Sequence, residues 1–363
     1  MRVALLVGPS TGGIGTHVVE LARELRALGE DVLVVTSPVT AERFGLVDAA
    51  LLWPGEDAGT PGRLRRLRAV LAASDVVHAH GLQAGVVGAL LAPRTVPLVT
   101  SLHNDLAWAG GARARVVDRL LRYVAGRSVL VSGASSDLVE LAREHGARRA
   151  ELAPVGSPFV PGLLAEAPLG AEERAVEAER LLAGRGVTGT GPLVLTISRI
   201  APQKQLETLV AAAAAVRDAT WVLAGDGVAR LREDLVAAAA HAGAPLCVIG
   251  PVADPKAWVR AAEVFVLTSR WEARALVVQE AMAAGTPVVC PAVGGLVDLV
   301  DGVGRLVPPE DALAVAEGVR GLLEDPSARE ELSQAGRSRA AGWESGEESA
   351  CRWRGWYREA GAG

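Results

Sequence analysis

Two glutamates stand eight positions apart in the stretch TSRWEARALVVQEAMAAG: Glu272 in a short loop and Glu280 on the segment that follows. Before the loop runs VFVLTS, apolar throughout as a buried parallel strand requires. After Glu280 the pattern stops at Gly285, and Pro287 opens the next apolar run, VVC. Glycine just past a helix and proline soon after are stop signals, so the spacing predicts a helix over 275–284. A helix entered from a strand end offers free backbone N–H groups and a partial positive charge. With two carboxylates beside it, that corner suits a ligand combining an anion with many hydroxyls, as a nucleotide sugar does. Arg199 and Lys204 form a second cluster, between the strand VLTIS and another helix. Two cations and a helix N-terminus converging on one point suit a diphosphate leaving group, because fixed cations in a dry site stabilise its developing charge. Composition adds to this: the basic residues are nearly all Arg, and the only lysines are Lys204 and Lys256.

Glu272 and Glu280 do not read as a hydrolytic pair. Eight residues of helix alone rise ~12 Å, whereas glycosidase carboxylates sit about 5–9.5 Å apart. No D-x-D occurs, so no metal is expected. His103 follows the strand in TVPLVTSLHND, at the carboxyl end where open α/β sheets bind ligands. His78 and His80 alternate in SDVVHAHG and share a strand face. A metal pair would need a third ligand; none is evident nearby in sequence, so these read as strand-end histidines beside a ligand crevice. Each of these residues also has a plainer role open to it, since most glutamates are solvated and most lone histidines are structural.

The elements that must position these groups alternate strand and helix along the whole chain. Residues 2–8 form a strand, GPSTGGIGTH a glycine-rich loop, VVELARELRALG an amphipathic helix and VLVVTS a second strand. This order is that of a Rossmann-like half. The loop lacks G-x-G-x-x-G and no acidic residue clearly ends the second strand, so a dinucleotide site is weakly supported. At 363 residues two domains are expected. The fold class is therefore α/β, with two doubly wound domains.

Several blocks resemble the retaining glycosyltransferases of the GT-B fold, family 4 (glycosyl transferases group 1). These are E-x7-E with EAMAAGTPVV and Gly294-Gly295, the strand carrying Arg199 and Lys204, and WVLAGDG. The resemblance covers essentially the whole chain and is strongest over 193–308. It implies two Rossmann-like domains facing a central cleft: an acceptor-binding domain over 1–165, a nucleotide-sugar-binding domain over 166–340, and a helix over 341–363 packing back on the first. By resemblance, Arg199 and Lys204 hold the diphosphate of a UDP or GDP sugar, Glu280 its ribose, and Glu272 the sugar hydroxyls. His103 contacts the sugar, and Gly12 and Gly13 face the donor. Arg274, Ala275 and Leu276 line the donor site, and Gly250, Pro251 and Val252 lie beside the base. The reaction implied is metal-independent transfer with retention to an unidentified acceptor hydroxyl on a glycan, a lipid carrier or a small metabolite.

The chain departs from the family pattern at several points. Ser198 and Gln205 replace glycines around Lys204, the loop PVGSPF lacks the usual Asn and Asp, and Glu-Ala-Arg-Ala-Leu replaces E-G-F-G-L after Glu272. Arg274 then either adds a third cation or narrows the sugar pocket. The altered loop also leaves open a catalytically weak homologue that binds nucleotide sugars or serves as a partner subunit.

Bulk properties narrow the class further. A net charge of −5 gives no reason to expect nucleic acid as a partner. Three scattered cysteines, Cys247, Cys290 and Cys351, fit no metal or disulfide pattern and suit a reducing cytosol. No apolar run approaches the ~18 residues of a membrane span, so a cytoplasmic location is expected. The helix GRLRRLRAVLAA, with Arg63, Arg65, Arg66 and Arg68 around an apolar face of Leu64, Leu67, Val70 and Leu71, is a candidate for peripheral contact with the inner membrane face. A surface helix packed on its own domain is the stronger expectation. Trp353, Trp356 and Tyr357 share one side of the last helix and are expected to pack.

Overall fold

The computed structural model describes residues 1–10, 12–55, 61–104, 112–189 and 191–361. Thr11 of the glycine loop and Asp105 after His103 lie outside the described residues. The chain divides into two compact units, 1–156 with 344–363, and 157–343.

The first unit holds strands β1 (Arg2–Val7), β2 (Asp31–Val35), β3 (Val76–His80), β4 (Leu98–Leu102), β5 (Leu130–Gly133) and β6 (Ala150–Leu152). They form one sheet in the order β2-β1-β3-β4-β5-β6, with every pairing parallel. β1 after Arg2, and β3 and β4 throughout, are buried, His78 and His80 of β3 included, because helices cover both faces. The helix Gly13–Ala27 buries Val18, Leu21, Ala22 and Leu25, and the same core takes in Ala350, Trp353 and Tyr357 from the helix Gly346–Gly361. The last helix thus packs in the first unit, and its aromatics are packing residues. In the helix Pro61–Ala72 only part of the expected apolar face is used: Leu67 and Leu71, one turn apart, are buried, whereas Leu64 is exposed.

The second unit holds β7 (Leu193–Ile197), β8 (Thr220–Ala224), β9 (Leu246–Gly250), β10 (Val264–Val266), β11 (Val288–Pro291) and β12 (Arg305–Val307). Their order is β12-β11-β10-β7-β8-β9, again all parallel. Read from β9, this is the 3-2-1-4-5-6 order of a doubly wound sheet, and it reverses between β7 and β10. The loops after β7 and β10 therefore part to opposite faces and leave a crevice at their carboxyl ends. The sequence reading set the first boundary after residue 165. In the structure residues 157–165 pack with the second unit, because Val160 and Leu163 join its core. Among the described residues, no helix is long and apolar enough to cross a membrane.

Candidate active site

The loops after β7 and β10 are stitched together at the point where the strand order reverses. Arg270 N donates to Gln203 O (2.9 Å), Thr268 Oγ1 to Lys204 O (2.8 Å) and Gln203 Nε2 to Trp271 O (2.6 Å). Lys204 and Glu272 close this corner with an ion pair, both side chains largely out of solvent. Arg199 stands on the same β7 loop, exposed. Lys204 ends a single 3-10 turn, and Gln205 after it adopts a left-handed conformation (φ 48°). Non-glycine residues rarely do so, and this is a position where the family has glycine.

Two glycines allow the close approaches that shape the corner. Gly294 has φ 47°, and a Cβ there would lie 2.4 Å from Glu272 O. Its neighbour Gly295 donates N–H to the same carbonyl at 2.8 Å. Gly225, after β8, would meet Ser198 O at 1.9 Å, and its N–H donates to Gly250 O at 2.9 Å. The loops after β7, β8, β9 and β10 are thereby joined through backbone contacts. Asp226 serves the turn, accepting from Gly227 N at 2.8 Å.

The helix Leu276–Ala284 starts at Ala275 with no side-chain cap and ends at Gly285, left-handed at φ 78°. Its first-turn N–H groups face the crevice end of the sheet, where an anion would satisfy them. Glu280 is buried on this helix, and burial pushes its carboxyl up to about 7. One partner opposes that: Ser157 Oγ donates to Glu280 Oε1 at 2.7 Å, while Ser157 N donates to Gln279 Oε1 at 3.2 Å. Neither Ser157 nor Gln279 was singled out by sequence. Arg274 is mostly buried, with its guanidinium 5.4 Å from the centre of the Trp343 ring. Asp298 attracts it, while burial lowers its pKa. Gly250 is left-handed at φ 73°, Pro251 is exposed and Val252 half-buried. Arg199, Lys204, Glu272, Arg274, Ala275, Leu276, Glu280 and Gly250–Val252 thus all lie in the second unit.

Gly12, Gly13 and His103 lie in the first unit. Gly12 precedes the helix Gly13–Ala27 as its N-cap, extended at φ −138°. His103 follows β4 directly and is buried beside two other histidines. His80 Nδ1 lies 3.2 Å from His103 Nε2, and the His17 ring centre is 5.5 Å from both of theirs. This corrects the sequence reading that no third metal-type ligand is near His78 and His80. The cluster comprises His17, His80 and His103, with one ring nitrogen from each within 4.8 Å of the others. His78 is outside it, hydrogen-bonded to Tyr357 OH (2.6 Å) and Ser101 Oγ (2.7 Å), the latter meeting Ser132 Oγ at 2.7 Å. Burial depresses His17 to about 4 and His103 to about 3, so both rings are neutral at pH 7.

Two Rossmann-like units, each around a parallel six-stranded sheet, with the final helix returned to the first, define the GT-B fold. HepE from Anabaena, solved with UDP, shares it with a TM-score of 0.82 at 20% identity, over 99% of this chain and 100% of that one. Sucrose-phosphate synthase from Thermosynechococcus elongatus shares it at 0.79 and 24% identity, over 100% of both chains. The family described as glycosyl transferases group 1 matches residues 179–339, and the glycosyl transferase 4-like domain matches residues 12–157. The D-inositol 3-phosphate glycosyltransferase of Streptomyces avermitilis is 32% identical, over 92% of this chain and 81% of its own. The chain belongs to the glycosyl transferases group 1 family and is a GT-B glycosyltransferase.

Proposed function

We propose that this glycosyltransferase moves a sugar from a UDP or GDP sugar to an acceptor hydroxyl with retained anomeric configuration and without a metal. The observation that carries the reading is the corner at the β7/β10 reversal. There Lys204 and Glu272 meet, beside an uncapped helix N-terminus and with Arg199 exposed on the same loop. In this reading Arg199 and Lys204 take the diphosphate, and their charge stabilises the leaving group where a metal-dependent transferase would use a cation. Lys204 exchanges part of its contact with Glu272 for phosphate, freeing Glu272 to accept from sugar hydroxyls. Glu280 accepts from the ribose. The bond from the anomeric carbon to phosphate breaks, the bond to the acceptor oxygen forms on the same face, and the acceptor proton passes to the departing phosphate oxygen. His103 in the first unit is the second candidate catalytic residue, and Gly12 and Gly13 let ligand approach the backbone.

UDP is the first nucleotide to try, because HepE was solved with it. D-inositol 3-phosphate is the first acceptor, because the Streptomyces avermitilis relative bears that name. The experiment is calorimetric titration with UDP, GDP and their sugars on wild type and Lys204→Ala, followed by NMR of the product anomer. One nucleotide should bind wild type and lose affinity in the variant, and the product should keep the donor's configuration. Binding with neither transfer nor donor hydrolysis would favour the partner-subunit reading, which the Glu-Ala-Arg-Ala-Leu loop motivates.

A further inference from the structure

We propose that Arg274 is a positioning residue for the sugar-donor loop: stacked on Trp343, it holds Glu272 and the start of the helix Leu276–Ala284 in place, and it does not itself touch the donor. In the sugar-transfer reading, on which this rests, the loop 272–276 receives the donor. Arg274 is the one long side chain between Glu272 and Leu276, because its neighbours Ala273 and Ala275 are small and buried. Whatever anchors the middle of the loop from the side must therefore act through Arg274.

The guanidinium lies 5.4 Å from the centre of the Trp343 ring, within the range at which a cation and an indole attract. Trp343 is the last residue of the second unit, half-buried just past the helix Pro326–Ala341. The charge that attracts Arg274 is Asp298, on the helix Gly295–Val300. That same helix grips the loop a second time, since Gly295 N donates to Glu272 O at 2.8 Å. Lys204, by contrast, is paired with Glu272 itself. Arg274 Nε is buried and has no hydrogen-bond partner among the described residues, so a ligand would reach it only after the side chain had left Trp343.

A third cation for the diphosphate would have to give up both Trp343 and Asp298. The family pattern E-G-F-G-L has phenylalanine at this position, and a guanidinium offers Trp343 the same kind of flat face. Arginine adds a charge that the exposed Asp298 attracts, at a site that is only partly dry. Alanines in place of the two flanking glycines also stiffen the loop backbone, so an anchor at its middle fixes both ends. Glu272 at one end and the first-turn N–H groups of the helix at the other are then presented together. A misplacement of ~1 Å in such an arrangement costs about 100-fold in rate.

The test compares Arg274→Ala, Arg274→Phe, Arg274→Lys and Trp343→Leu in the full chain, by turnover of UDP-glucose and calorimetric affinity for UDP alone. Arg274→Ala and Trp343→Leu should each lower kcat about 100-fold, with UDP affinity nearly unchanged because Arg199, Lys204 and Glu280 remain. Arg274→Phe should recover most of the rate and Arg274→Lys little, since lysine keeps the charge without the flat face. The double variant Arg274→Ala/Trp343→Leu should be no slower than either single one. Rescue by lysine but not phenylalanine, with UDP affinity falling alongside the rate, would mean direct phosphate contact and overturn the proposal. Amide hydrogen exchange without ligand keeps the test separate from the sugar-transfer reading. Peptides covering 270–276 should exchange faster in Arg274→Ala and Trp343→Leu and regain protection in Arg274→Phe. That pattern in a protein that transfers no sugar would uphold the anchor and count against the transfer reading alone. Unchanged exchange at 270–276, or faster exchange throughout the second unit, would overturn the anchor whatever the turnover.

Discussion

Ser157 and Glu280 are 123 positions apart and share a buried 2.7 Å hydrogen bond from Oγ to Oε1. Ser157 is the first residue of the second unit, so the point where the chain enters that unit is pinned to the helix carrying the candidate ribose carboxylate. The bond favours the ionised carboxylate, and burial outweighs it, holding the group at about 7.

Stability should report this directly. The folded carboxyl sits above its usual 4.5, so the native state prefers it protonated. Its contribution is full below about pH 4.5 and is lost as pH rises through 7, amounting to roughly 3 kcal/mol. Glu280→Gln stays neutral and should lose less stability than wild type between pH 5 and 8 in urea melts. Equal pH slopes for the two proteins would show that Glu280 is not the titrating group.

Nucleotide binding should run in the opposite direction. Ribose hydroxyls donate to a carboxylate, so affinity for UDP should fall as pH drops through about 7. Ser157→Ala removes the bond that favours the charged form. Its acid limb should move to higher pH, and affinity near pH 7 should fall about tenfold, as for a lost bond to a charged group. Calorimetry over a pH series checks both, and an unmoved limb would argue against the link.

Lys204 and Glu272 should behave as one unit. Lys204→Met leaves Glu272 without its partner and removes the cation proposed for the leaving group, so turnover should fall on the order of 10²- to 10³-fold. Glu272→Gln should also be slow, and the double variant less impaired than the product of the two, because paired groups are not additive. Strict additivity in steady-state rates would mean that the pair does not act together.

Gly294 and Gln205 should respond to substitution with opposite signs. Gly294→Ala places a Cβ 2.4 Å from Glu272 O at φ 47°, and should lower stability by about 1–3 kcal/mol while displacing Glu272. Gln205→Gly relieves a left-handed residue at φ 48°, a conformation costing about 1–2 kcal/mol, and should be tolerated or raise the melting temperature. Calorimetric melts of the two variants decide it.

Much of the second unit was legible in sequence because its signals are local. Gly285 and Pro287 end the helix where expected, and Lys204 and Glu272 each follow an apolar strand, at whose carboxyl end a parallel sheet exposes its loops. Ser157 was not legible: its loop lacks the family's residues, and only the folded chain brings it to Glu280. The histidine trio was hidden for a related reason. A search for metal ligands by spacing looks near His78 and His80, whereas His17 and His103 reach His80 through adjacent parallel strands. The signal was present near the strand ends, since His17 lies on the helix after β1, His80 ends β3 and His103 follows β4, but reading it requires the sheet order. The boundary after residue 156 depends on where Val160 and Leu163 find their core, which no local pattern states.

The placement of the last helix has a consequence for how the protein is made. The first unit takes Ala350, Trp353 and Tyr357 into its core and ties Tyr357 to His78, yet residues 157–343 form a separate unit in between. On the ribosome, the strands synthesised first must wait with an unfilled apolar groove and an unanswered buried histidine until the residues after 343 emerge. The second unit has its whole sequence available earlier. Order of folding should therefore invert order of synthesis, and the nascent first unit is the part of this chain most exposed to aggregation and to chaperone capture.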